Sequence, residues 1–154
     1  MGFWAWITRR STSRQGYGEI LSRLPIFETL SRGERRRVEE AMRLLVCEPG
    51  APIFREGERD DRFYVILDGR VEVLRVSSDG DPAPLVVLEP GDSLGETALV
   101  CDLPRTASAI PRNPARLLTL SRDDFMALCD RSPHLGVQVA LGLSQVIAER
   151  MRLT

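Results

Sequence analysis

Between residues 44 and 120 the chain breaks into short apolar runs separated by turn signals. The runs are Leu45, Val46 and Cys47; Pro52, Ile53 and Phe54; and the segments 63–67, 71–76, 85–88 and 116–120. Between them stand Pro49 with Gly50, Gly57 flanked by Glu56 and Glu58, Asp68 with Gly69, Gly80 between Asp79 and Asp81, and Gly91 between Pro90 and Asp92. Each cluster supplies the fixed or positive φ that a tight turn needs. Val71 and Val73 alternate with Glu72 and Leu74, as on a strand with two distinct faces. Many short strands at this spacing predict an antiparallel barrel or roll.

The flanks change period. Ile20, Leu21 and Leu24 fit a short helix that Pro25 stops. Ser31 followed by Glu34 reads as a capping box, opening a helix through Val38, Ala41, Met42 and Leu45. After the strands, Ser121 and Asp124 mark another helix start, running to about Cys129. Beyond Pro133 a final helix carries Leu135, Val139, Leu143, Val146 and Ile147 as a broad stripe, with Arg150 and Arg152 at its exit. The predicted fold is mainly β with flanking helices. Helices over 19–43 precede an antiparallel, jelly-roll-like β-roll over 44–120, and two C-terminal helices occupy 121–154. Residues 1–18, polar from Thr8 onward, read as a leader and linker, with Phe3, Trp4 and Trp6 as an apolar tip packed on the domain or left as a free leader.

Composition narrows the function classes. The 154 residues suit one domain, and 43% hydrophobic with 28% charged residues are ordinary for a globular chain. A net charge of −1 gives no basic field for nucleic acid. All 21 basic residues are arginine, a supply of planar guanidinium groups that match phosphate. Three separated cysteines (Cys47, Cys101, Cys129) and one histidine, His134, indicate neither a disulfide framework nor a metal centre, and a cytoplasmic setting is expected. Cys101 reads as a small core filler, and His134 as a plain helix-start residue.

Candidate chemistry concentrates in residues 94–107. Leu94 and a turn glycine, Gly95, precede the acid Glu96, a helical turn of Thr97, Ala98 and Leu99, then Arg105, Thr106 and Ala107. A short helix inserted between strands presents free N–H groups, and Arg105 adds an always-charged donor for a phosphate diester. Glu96 can accept hydrogen bonds from a ligand hydroxyl. The plain alternative is an ion pair between Glu96 and Arg105 that closes a loop.

This segment resembles the phosphate-binding cassette of cyclic-nucleotide-binding domains, the family of the bacterial catabolite activator protein, kinase regulatory subunits and nucleotide-gated channels. The likeness extends to Leu24, Pro25, Ile26 and Phe27 with Leu30 and Ser31, to the segment from Gly50 to Gly57, and to the segment from Phe63 to Val71. The resemblance implies that Glu96 holds a ribose 2′-hydroxyl and that Arg105 pairs with a cyclic phosphate. It further implies that Gly95, Glu96, Thr97, Ala98 and Leu99 line the cradle, and that Thr106 and Ala107 sit beside it. Base and lid contacts are expected from Val71, Val86, Leu94, Val146, Ile147 and Arg150. The sequence departs from the pattern at Pro111 and Pro114, where a smooth strand gives way to an early end or a bulge.

The expected function is a regulatory, non-catalytic sensor of a cyclic mononucleotide. The expected ligand is cAMP, with cGMP left open by Thr106. No cofactor is expected, and neither is direct DNA binding, because no helix-turn-helix follows the last helix. That helix can serve as a homodimer seam. Met1 favours a stand-alone sensor over a segment of a channel or other effector, whose identity the sequence leaves open. The rival is a β-roll that acts as an interaction module without nucleotide.

Overall fold

The computed structural model describes the backbone of residues 7–10 and all of residues 16–152. The apolar tip of Phe3, Trp4 and Trp6 lies outside the described residues. A strand, β1 (Ile7–Arg10), precedes two helices, α1 (Gly18–Ser22) and α2 (Arg32–Ala41). Then follow β2 (Arg43–Cys47), β3 (Arg62–Asp68), β4 (Val71–Val76), β5 (Pro82–Leu88) and β6 (Ser93–Leu94). A 3₁₀ turn (Glu96–Leu99) leads to β7 (Ser108–Pro111), β8 (Ala115–Ser121), α3 (Arg122–Arg131) and α4 (Pro133–Arg152). Among the described residues the strands form two antiparallel sheets, ordered β1-β2-β8-β3-β6 and β5-β4-β7. The architecture is the β-roll with flanking helices that the pattern predicts.

β3 is apolar without alternation because both of its faces are buried. Phe63, Val65 and Leu67 join the core beneath the helices, with Phe27, Met42, Phe125, Leu135 and Val139. Tyr64 and Ile66 face the roll interior, with Ile53, Phe54, Val71 and Ala109. β8 divides the same way: Leu117 belongs to the roll core, Leu118 and Leu120 to the helical core. Two packed layers thus share the central strands, so a shift of either layer is felt by the other.

The helix starts follow their local chemistry. Ser31 and Glu34 form the reciprocal capping box, and the Ser121 hydroxyl accepts the Asp124 N–H at 3.1 Å. Gly142 lets α4 lie against the chain ahead of α2, because a Cβ there would stand 2.8 Å from the Ile26 carbonyl oxygen. That approach fixes the tilt of α4 across the domain.

Four local readings of the sequence differ from the structure. The helix read through Leu45 ends at Ala41, and Leu45 lies on β2, where pairing with Leu117 of β8 overrides the helical spacing. The stretch read as linker from Thr8 contains β1, whose backbone pairs with β2. The run Pro52, Ile53, Phe54 makes an isolated bridge, Phe54 to Ala109, and no full strand. Cys101 is exposed, because the turn it follows points that side chain away from the core. Pro111 ends β7 after four residues, and the Arg70 carbonyl takes the Arg112 N–H at 2.9 Å as the chain turns into β8.

Candidate functional site

A cavity of about 570 Å³ opens between the β4–β5 hairpin, the 3₁₀ turn and the end of α4. One wall is apolar, built from Val73, Val86 and Leu88. The opposite wall is polar: Ser93, Glu96, Thr97, Arg105 and Thr106, with Arg150 reaching in from α4. A pocket of this size with few convergent polar groups is the usual form of a small-molecule site, which runs from about 300 to 1,000 Å³.

Arg105 is fixed from within the roll. Its main chain is pinned by two bonds of 2.8 Å, Gly57 N–H to its carbonyl and its own N–H to Glu58. Its side chain is 8% exposed and lies 3.2 Å from the Asp60 carboxylate. Nη2 also donates to the Arg62 carbonyl, while the guanidinium stacks on Phe54 at 4.2 Å from the ring centroid. Asp60 is held in turn by the Tyr64 hydroxyl, which donates to it at 2.6 Å. Burial, and then the Asp60 charge, push the Tyr64 phenol up, so it stays a neutral donor. Arg105 Nε has no partner, so the guanidinium keeps donors for an anion that enters the cavity.

Gly95 makes room for this arrangement. It sits at φ +78°, and a Cβ there would meet Arg105 Nη1 at 2.5 Å and the Arg62 carbonyl at 2.8 Å. Only glycine serves both demands. The turn that follows is held at its far end by Arg122 of α3, which donates to the carbonyls of Ala98 and Cys101 at 2.8 Å each. Leu99 anchors the turn in the helical core.

Glu96 is 2% exposed. Its Oε1 accepts from the Ser93 hydroxyl and from Arg150 Nη2, both at 2.9 Å. Its Oε2 is buried without a partner. The Glu96 and Arg105 side chains do not pair with each other; each has its own protein partner, and both line one cavity.

The residues expected from sequence separate into two sets. Val86, Leu94, Gly95, Glu96, Thr97, Ala98, Arg105, Thr106, Ala107 and Arg150 line the cavity. Val71 is fully buried in the roll core and Leu99 in the helical core, while Ile147 packs on the helical core and Val146 is half-buried; none of these four lines it. Sequence reasoning missed Asp60, Phe54 and Ser93. Asp60 lies in an acidic turn whose spacing gives no signal. The one available clue was Tyr64, a hydroxyl inside an all-apolar strand that needs a buried acceptor.

Fold and cavity together define a ligand-binding β-roll in which a buried carboxylate and a buried guanidinium face the same space. The chain belongs to the cyclic nucleotide-binding domain family, which it matches over residues 44–132. It is 35% identical over 115 residues to a cAMP-dependent protein kinase regulatory subunit of Yarrowia lipolytica, covering 75% of this chain and 30% of that protein. The chain therefore spans about 30% of that relative's length. Among solved structures it resembles the N-terminal domain of a transcriptional regulator from Streptomyces coelicolor A3(2), with 31% identity, a TM-score of 0.76 and 86% and 92% of the two chains covered. It also resembles the regulatory domain of Toxoplasma gondii PKA co-crystallised with cAMP, with 28% identity, a TM-score of 0.72 and 86% and 49% covered.

Proposed function

We propose that this chain is a regulatory sensor that binds a cyclic purine mononucleotide, cAMP foremost, and performs no chemistry on it. The observation that carries the reading is the convergence of Glu96 and Arg105, both buried, on one cavity that also has an apolar wall. The cyclic phosphate meets the Arg105 guanidinium, whose Nε has no protein partner. The ribose hydroxyl donates to Glu96 Oε2, and the base lies against Val73, Val86 and Leu88. The likeness to a regulatory domain co-crystallised with cAMP supports this choice of ligand.

Arg150 couples the cavity to α4, since the guanidinium on the helix and the carboxylate in the cradle hold each other. Nucleotide then shifts the population of α4 positions, which is the signal passed to an effector. α4 also presents Val137, Leu141 and Met151 as exposed apolar residues at four- and seven-residue multiples, a seam that suits a second copy of the chain.

Calorimetric titration of the chain with cAMP and with cGMP tests the reading. Saturable one-site binding that Arg105→Ala abolishes supports it; heats unchanged by that substitution remove Arg105 from the site. A second reading draws on the Asp60–Arg105 pair, because a guanidinium already neutralised by a protein carboxylate can be purely structural. In that case the roll is an interaction module without nucleotide. A thermal-shift assay separates the two, since a ligand at 100 times its Kd stabilises by about 2.7 kcal/mol.

A further inference from the structure

Glu96 uses its two oxygens unequally, one bonded within the protein and the other without a partner, and the asymmetry has a cause outside the residues so far assigned to nucleotide. Oε1 receives two donors at 2.9 Å, one from Ser93 and one from Arg150. A carboxylate oxygen has two lone-pair sites, so Oε1 is filled. Oε2 is buried and accepts nothing. An ionised oxygen left bare in a buried site is costly, and a donor brought by the ligand relieves that cost.

The two donors differ in firmness. Arg150 is 57% exposed at the end of a helix, where a long side chain has freedom to leave. Ser93 is half-buried on β6, and its backbone is registered against Val65 of β3, a strand buried on both faces. A serine hydroxyl has one rotor, and that of Ser93 donates its proton to Glu96 Oε1. Without it, the carboxylate is free to rotate about its last bond, and either oxygen can turn toward Arg150.

We infer that Ser93 is a positioning residue: it orients the Glu96 carboxylate so that Oε2 alone is presented to a hydroxyl of the ligand, and it thereby sets the preference for a ribose over a 2′-deoxyribose ring. This rests on the nucleotide reading given above. Ser93 lines the cavity, and the role assigned to it acts through Glu96. The role is confined to one hydroxyl of the sugar, which makes it separable from a general effect on the pocket.

The test is a two-ligand comparison by calorimetry, using cAMP and 2′-deoxy-cAMP on the wild-type chain and on Ser93→Ala and Ser93→Thr. Loss of a hydrogen bond to a charged group corresponds to roughly a 10-fold loss of affinity. Ser93→Ala is expected to weaken cAMP about 10-fold while leaving 2′-deoxy-cAMP within about twofold, shrinking the ratio between the two ligands. Ser93→Thr retains the hydroxyl and is expected to restore the ratio. Equal weakening of both ligands by Ser93→Ala would show a structural role only and overturn the inference, as would no change with either. Failure of the wild-type chain to bind cAMP at all would instead overturn the nucleotide reading and the positioning role with it.

Discussion

Arg105 and Glu96 face one cavity, yet different parts of the molecule hold them. Arg105 is anchored wholly inside the roll, by Asp60, the Arg62 carbonyl and the face of Phe54. Glu96 is held by Ser93 on one side and by Arg150 of the last helix on the other. The guanidinium end is therefore a fixed fixture, and the carboxylate end is a junction between the roll and α4. On the proposed reading, a ligand that spans both ends reads the fixed one for affinity and acts on the junction for signalling.

The largest effect expected from breaking this contrast is on the fixed end. Arg105→Ala should cost about 2–5 kcal/mol of nucleotide binding, since a desolvated anion loses its charged partner. Calorimetry with cAMP checks this. Asp60→Asn has an effect of similar size and acts on the fold itself. Removing one partner of a buried pair costs about 3–5 kcal/mol because a charge is stranded. Its melting temperature should fall sharply, and saturating nucleotide should recover part of the loss by supplying a new counter-charge to Arg105. A melting curve unmoved by the substitution would mean that Arg105 is not held as described.

The junction should behave differently. Arg150→Ala removes one of two donors from the buried Glu96 carboxylate, so it should cost stability about 1–3 kcal/mol, less than the loss of Asp60. Hydrogen exchange in the last turns of α4 should also quicken, and nucleotide should no longer slow it. If exchange in α4 is indifferent to Arg150, the coupling runs elsewhere, with Gly142 against Ile26 the alternative route.

The smallest effect lies far from the cavity, where α2 meets α4. The His134 side chain, the Ser31 N–H and the Ser31 hydroxyl hold the Glu34 carboxyl below its ordinary value near 4.5. A depressed folded-state pKa means stability that is fully present above the unfolded value and is lost as pH falls through the folded one. Acid melts should therefore show a loss beginning below about pH 4.5 that Glu34→Gln removes. An identical acid profile in that variant would exclude the contribution.

The succession of strands and helices was legible because alternation, turn residues and caps are local properties. Ser31 with Glu34 and Ser121 with Asp124 act within one turn of chain, so they read directly from spacing. β1 was not legible, since a short polar strand owes its existence to the partner beside it. Glu96 and Arg105 were picked out because a glycine, an acid and an arginine follow one another in a single segment, and both line the cavity. Val71 was expected to contact the base, but it lies deeper in the roll core on the same face of β4 as Val73, which lines the cavity.

The sequence alone determined that this chain makes a roll flanked by helices and carries an acid and an arginine nine positions apart around a helical turn. Tertiary structure alone decided what each of them touches. Asp60, Phe54 and Ser93 reach the two charges from separate strands and loops, and Arg150 comes from a helix 54 positions beyond Glu96. A buried charge must find a partner wherever the folded chain brings one, and no local pattern records that distance.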